Sequence, residues 1–323
     1  MAISRRQTLA AGLSMVGSTV FGSQARAQDA WPSNTIKFVI PSSVGGGFDT
    51  MMRLLGAKLT EAWGKPCIVE PRPGATGAIA ASFVANSAPN GYTFGVGYSA
   101  LLSNLLLLQN PGYKLSDLMP VSMMVFAPLA LGVRSSLGVS TLKEFVALAK
   151  QSPGKLTYGS YGAGSGGHFA GALLSMVADI DLIHVPYKGE TPAIQDVVSG
   201  QIDAIITSLG GIARYPEKIK SLAVASPTRF PVYTDVPTFS EAGYPEVNMP
   251  GFSALLAPSG TPQPIIDKMA NELARVVKLP DVKPKLLDLG FDPAGWGPGQ
   301  VKTFLDEQYV LTRKLVESGR VKI

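Results

Sequence analysis

Cysteine and histidine are nearly missing from this sequence. Its one cysteine, Cys67, and two histidines, His168 and His184, are too few for a His/Cys zinc centre, and a single thiol forms no internal disulfide. Cys67 lies in an apolar, strand-like stretch with Ile68 and Val69 and reads as a core thiol. Charge is also sparse. Charged residues make up 16% of the 323 positions and hydrophobic ones 46%, a balance that excludes a disordered chain and supplies a sizeable core. No internal apolar run reaches the length of a transmembrane helix, about 18 residues or more. The net charge is +5, and three of those charges, Arg5, Arg6 and Arg26, lie in the first 27 residues, which hold no acid. The remaining +2, with no run of Lys or Arg, argues against nucleic acid as the main partner.

Glycine and proline, by contrast, are plentiful (35 and 25 residues) without a collagen period, as suits many loops between short elements. The first residues form an address. Arg5 and Arg6 precede a mildly apolar stretch from Leu9 to Gly22, and Ala25-Arg26-Ala27 offers an A-x-A cleavage signal before Gln28. Residues 1–27 therefore read as a secretory signal peptide, and Ser4-Arg5-Arg6-Gln7-Thr8-Leu9 adds a twin-arginine feature, with an ordinary Sec signal as the alternative route. The mature chain is expected free in the periplasm from about Gln28.

Downstream, strands alternate with helices. Thr35–Ile40 reads as a strand, followed by SSVGGG and a helix that Asp49 is placed to cap, with Met52, Leu55, Leu59 and Trp63 on its apolar face. Strands at 67–70 and 92–96 flank an Ala-rich helix at 77–87. Further strands are expected at 119–126, 129–133, 155–160, 182–186, 202–206, 221–225 and 252–257, and helices at 142–150, through about Val177, at 191–199, 262–277, 280–288 and 298–318. Repeated β-loop-α units imply sheets with parallel strands covered by helices. The pattern falls into two blocks, 28–125 and about 130–245, with a helical tail able to return to the first. Pro128 and Pro250 mark the expected crossings.

Two Gly-rich loops run from strand to helix: Pro41–Asp49 (PSSVGGGFD) and Ser160–His168 (SYGAGSGGH). Each sets free amides and a helix N-terminus at a strand end, an arrangement that attracts anions. Gly162, Gly164 and Gly167 fit G-x-G-x-x-G, with Glu190 23 residues on, which raises a dinucleotide site. Its mid-chain position and the Thr191-Pro192 surroundings speak against that reading, and no GxxxxGK[ST] is present. A serine hydrolase is the other enzymatic reading. Ala163 breaks G-x-S-x-G before Ser165, His184 sits in an apolar strand as a core histidine, and His168 is placed to cap or brace its loop.

These loops lie within a wider set of motifs: GGGFD, IVEPRPGATG, APNGYTF, GSGGHFAGALL, HVPYKGETPAIQDVVSGQID, DVPTFSEAGYP and APSGTP, in this order across residues 31–320. With them the chain resembles the Bug (TctC-like) family, the periplasmic solute-binding proteins of tripartite tricarboxylate transporters. The resemblance implies a two-lobed α/β clamshell of the periplasmic binding protein type (type 2-like), with the ligand cleft between the lobes. Lobe 1 would comprise 28–127 and 251–323, and lobe 2 would comprise 128–250. It also implies a small carboxylate ligand, aliphatic or aromatic, membrane transporter subunits as partners, no enzymatic activity, no cofactor and no metal, in a monomer. An exported α/β enzyme, or a receptor feeding a sensor, is the alternative use of the same cleft.

Carried onto this chain, the ligand residues are Ser42, Ser43, Val44, Gly45, Gly46, Gly47 and Phe48 in the first loop, then Tyr98, Ser99 and Ala100 after the third strand. The second loop adds Ser160, Tyr161, Gly162, Ala163, Gly164, Ser165, Gly166 and His168, and Tyr187 and Thr207 complete the set. Asp49 is expected to be a structural cap. The chain departs from the family pattern: Ser42 stands for an aromatic, Phe48 for a hydroxyl, Gly166 and Gly167 for Thr and Ser, and Thr207 for Asp or Asn. The added aromatic beside the lost acid leans towards a flatter or less cationic ligand than an amino acid. Neither Gly-rich loop holds Lys or Arg, so the anion would be held by amides of 43–47 and 162–167 and the hydroxyls of Ser42, Ser99, Ser160 and Ser165, with Lys188 as the alternative counter-ion.

Overall fold

A computed structural model describes residues 31–247, 249–319 and 321. The expected signal peptide lies outside the described residues. The strands are β1 (Ile36–Ile40), β2 (Cys67–Pro71), β3 (Thr93–Gly97), β4 (Leu118–Ala127), β5 (Leu129–Arg134), β6 (Thr157–Ser160), β7 (Ile183–Pro186), β8 (Ala204–Ser208), β9 (Ile219–Ala225), β10 (Gly251–Pro258) and β11 (Asp292–Trp296). The helices are α1 (Gly47–Trp63), α2 (Ala78–Ala85), α3 (Ala100–Leu107), α4 (Leu142–Gln151), α5 (Gly166–Val177), α6 (Glu190–Ser199), α7 (Leu209–Ile212), α8 (Gln263–Val276), α9 (Lys283–Asp288) and α10 (Pro298–Glu317).

Local signals in the sequence explain many of these boundaries. Thr141 and Glu144 form a capping box that starts α4: Thr141 Oγ1 accepts from the Glu144 amide at 3.2 Å, and Glu144 Oε2 accepts from the Thr141 amide at 3.2 Å. Helix α8 buries Ile265, Ile266, Met269, Ala270, Leu273 and Val276, an i, i+3, i+4 stripe facing the core. All eight residues of β10 are buried, as befits a central strand covered on both faces.

The strands form two sheets. One is ordered β11-β4-β10-β3-β1-β2 and the other β7-β6-β8-β5-β9. In the first, β1 pairs in parallel with β2 and β3, while β10 and β11 run antiparallel to their neighbours. In the second, β6 is parallel to β7 and β8, and β5 is antiparallel to β8 and β9. Each sheet carries apolar clusters, with Phe38, Leu55 and Met269 in one on the first sheet and Phe145, Phe169 and Ile206 in one on the second. The result is an α/β architecture with two lobes, one built on each sheet.

The chain crosses between sheets at Pro128, where β4 ends and β5 begins, and returns before β10, whose Gly251 pairs with Ala127. Both crossings therefore lie side by side. Helix α10 forms a further link. Its Val301 and Leu305 pack into a first-sheet cluster, while Leu311, Leu315 and Val316 pack with the second-sheet core. The expected lobe boundary at 251–323 thus leaves the last turns of α10 against the other lobe. Three elements were not anticipated, α3, α7 and β11. Among the described residues, no helix is long and apolar enough to cross a membrane.

Candidate ligand cleft

Strand direction dictates where the loops meet. The C-terminal ends of β1, β2 and β3 open into the segments before α1, α2 and α3, and those of β6, β7 and β8 into the segments before α5, α6 and α7. In sheets of this kind ligands bind at such strand ends. The two sets of loops face and touch each other. Ser103 Oγ on α3 donates to the Gly164 carbonyl of the opposite lobe at 2.6 Å. A methyl group built on Gly210 at the start of α7 would stand 2.8 Å from Gly290 Cα, next to β11. Backbone meets backbone there, which only glycine permits.

The first loop is set by its own residues. Gly45 adopts φ +82°, and its amide donates to Asp49 Oδ2 at 2.9 Å. The helix cap is Gly46, and no side chain caps it. Asp49 is therefore not the cap that the sequence suggested; it is the third helical residue and reaches backwards. Arg53 Nε lies 3.0 Å from both of its oxygens. The hydrogen bond from Arg53 holds the Asp49 carboxyl below its ordinary range, against an opposing effect of burial. The Gly45 amide is committed to Asp49, while α1 presents the amides of Gly47, Phe48 and Asp49 at an uncapped N-terminus. Ser42 Oγ is buried without a hydrogen-bond partner. Ser43 and Val44 sit at the loop tip, Val44 with 70% of its surface exposed. Phe48 stacks on Phe291 (6.5 Å between centroids, 8° between planes) and lies 5.5 Å from the Tyr98 ring. The Tyr98 hydroxyl donates to the Thr76 carbonyl at 3.0 Å, and burial raises its pKa. Phe48, Tyr98 and Phe291 thus form an aromatic wall.

In the second loop, Ser160 is a fully buried hub. Its hydroxyl donates to the Gly162 carbonyl at 3.0 Å, takes a contact from Ser165 Oγ at 3.3 Å, and lies 2.8 Å from His184 Nε2. Ser165 caps α5 by accepting from the His168 amide at 3.4 Å, and His168 Nδ1 accepts from the Gly164 amide at 3.1 Å. The two imidazoles stack at 3.8 Å and 7°. Burial pushes His168 down to about 4; burial and the neighbouring His168 push His184 down to about 3. Both rings are neutral braces under the loop. The hydroxyls of Ser160 and Ser165, expected as ligand donors, are spent on shaping it. Ala163 is half-buried near the crest, and Gly166 begins α5 beside Ser99 and Tyr161. Ser99 Oγ is buried and makes no well-formed hydrogen bond, though its proximity to the Tyr161 hydroxyl partly offsets the burial that raises Tyr161 to about 12. Ala100, buried, opens α3.

Tyr187 does not join this cluster. Its hydroxyl donates to Asp196 Oδ2 on α6 at 2.6 Å, and burial, with that contact, raises its pKa to about 12. Lys188 is exposed. Thr207 Oγ1 is fully buried without a well-formed hydrogen bond. Beside it stands Glu190, the first residue of α6, whose Oε1 accepts from Ser208 Oγ at 2.6 Å. Burial raises the Glu190 carboxyl. A methyl group on Gly211 would overlap the Glu190 carboxyl, so that glycine makes room for the acid. Sequence reasoning weighed Glu190 only as the acid of a dinucleotide motif. Its place directly after a strand, like the other two loops, was the signal that could have found it. Among the described residues no cluster of His, Cys, Asp and Glu is arranged to hold a metal ion.

The family model described as "Tripartite tricarboxylate transporter family receptor" matches residues 51–320. The chain is similar to a UPF0065 protein of Bordetella bronchiseptica, 33% identical over 302 residues, covering 92% of this chain and 89% of that protein. Among solved structures it is similar to R. palustris Rpa4515 with adipate (30% identity, TM-score 0.83, 90% of this chain and 99% of that one). It is also similar to MatC from Rhodopseudomonas palustris with bound malate (30% identity, TM-score 0.78, 88% and 100%).

Proposed function

The chain belongs to the tripartite tricarboxylate transporter family of receptors, which are solute-binding proteins and not enzymes, and we propose that it works in the periplasm. There it captures a small carboxylate between its lobes and delivers it to membrane subunits of a tripartite tricarboxylate-type transporter. In this reading residues 1–27 are a signal peptide of the twin-arginine kind, cut near Ala27, and the mature chain acts as a monomer.

The observation that carries the reading is the uncapped N-terminus of α1, with its amides at 47–49, and the buried, unpartnered Ser42 hydroxyl beside the cap residue Gly46. Unsatisfied donors at a helix N-terminus favour an anion through hydrogen bonds and the helix dipole, and each bond to a charged group contributes about 1.5–3 kcal/mol. The adipate and malate held by the two similar structures are small carboxylates of the kind this donor set suits. A thermal-shift screen of aliphatic and aromatic carboxylates tests the proposal. Because a ligand that binds only the folded chain stabilises it by RT ln(1 + [L]/Kd), a true ligand at about 100 times its Kd adds ~2.7 kcal/mol and raises the melting temperature. A panel in which no carboxylate moves the transition would overturn it.

A further inference from the structure

We propose that Glu190 selects the ligand: the cleft takes a carboxylate whose other end carries a cationic hydrogen-bond donor, an amino group, and discriminates against plain dicarboxylates. This rests on the carboxylate reading above and assigns the second end of that site.

Three observations place an acceptor there. Ser208 Oγ accepts from the Gly211 amide at 3.1 Å, so its single proton is free to point at Glu190 Oε1, 2.6 Å away. The Glu190 carboxyl is thereby fixed in position as an acceptor. Thr207 is fully buried next to it, and its hydroxyl, which makes no well-formed hydrogen bond, acts on Glu190 as a second, weaker donor. No Lys or Arg makes an ion pair with Glu190 among the described residues; Arg214 acts on it only through space and is itself exposed. The lobes thus differ in character. The first offers donors, the amides of α1 and the Ser42 hydroxyl. The second offers an acid that no cation contacts directly among the described residues.

Charge logic gives the selectivity. A second ligand carboxylate brought against Glu190 would set two like charges together, and one would have to take up a proton. An ammonium would pair with the acid directly, which the exposed Arg214 does not, and would donate to the carboxylate. Burial already disfavours the ionised form of Glu190, so a cation arriving there relieves an existing cost. The expectation from sequence, that replacing an acid with Thr207 favours a less cationic ligand, is reversed by the acid that Glu190 brings to the same corner.

Isothermal titration of the mature chain with three matched pairs tests this: succinate and 4-aminobutanoate, glutarate and 5-aminopentanoate, adipate and 6-aminohexanoate. At the length that fits, the amino acid is expected to bind about tenfold or more tightly than the diacid. Glu190→Gln, close in shape, is expected to erase that preference while the unliganded protein melts near wild type. A wild-type preference for the diacid would overturn the inference, whatever the variant does. So would an amino-acid preference that survives in Glu190→Gln. Should Glu190→Gln fail to fold, the wild-type ratio decides alone. Diacid binding without amino-acid binding, or no binding across this panel, removes only this inference; the carboxylate reading falls only if the wider thermal-shift screen of aliphatic and aromatic carboxylates is silent as well.

Discussion

At the scale of single residues, Asp49 shows how one side chain shapes a loop without touching a ligand. It ties the Gly45 amide to the first turn of α1, and Arg53 covers it. Arg53, the main cause of the lowered Asp49 carboxyl, is half exposed and screened by solvent, and the hydrogen bond to Gly45 adds to its effect. Asp49→Ala is expected to lower stability by about 1–2 kcal/mol in urea unfolding, because it leaves that amide without its charged acceptor. Asp49→Asn keeps an acceptor and should lose less. The folded pKa is lowered, so this contribution is present above the ordinary carboxyl range and fades as pH falls through the lowered value. If Asp49→Asn lost ligand while melting like wild type, Asp49 would be a ligating group and the positional account would fail.

Among the elements, the helix α5 and its loop rest on the stacked pair His168 and His184. Their pKa values, about 4 and about 3, lie below the ordinary 6.5, so both stay neutral when folded while the unfolded chain takes up protons. Stability is therefore fully present above about pH 6.5 and declines as pH falls towards 4, by at most ~1.4 kcal/mol per pH unit for each histidine. Urea unfolding at pH 7, 6 and 5 should show this slope, and His184→Gln should reduce it by roughly half, leaving the share of His168; a wild-type curve that is level between 7 and 5 would contradict it. The need for a bracing histidine could be read from the sequence, since His168 follows the glycines and His184 lies in an apolar strand. Other parts could not be read. Helix α3, ALLSNLLL, is apolar nearly throughout and gives no helical period, and β11 contains Pro293 and Gly295, which argue against a strand. That strand survives as an edge partner of β4 with a broken register. Within the candidate cleft, the Gly-rich loops were visible because glycine and strand-to-helix order are local signals. The commitment of Ser160, Ser165 and Tyr187 to partners 5, 9 or 24 residues away was not, since only tertiary contact decides which hydroxyl stays free.

For the molecule as a whole, the proposed function depends on two lobes that meet over the ligand. The structure shows the rims in contact at Ser103–Gly164 and Gly210–Gly290, with paired crossings at Ala127 and Gly251 behind them and α10 packed along both lobes. The crossings are two adjacent backbones and a helix, and such connections can bend without unfolding either core. The rim contacts are different: they join the two lobes across the mouth of the cleft, so any opening of the lobes has to break them. Gly210 is a sensitive point: any side chain there collides with the backbone of Gly290, which cannot move aside as a flexible side chain could. Gly210→Val should leave each lobe intact and the unliganded protein near its wild-type melting temperature. It should also make the closed form rare, and apparent affinity falls in proportion to the binding-competent fraction, so a loss of about tenfold or more is expected by titration. Small-angle scattering should show ligand-dependent compaction in the wild type and little in the variant. Wild-type affinity in Gly210→Val would mean that the ligand is held without the lobes closing at this contact.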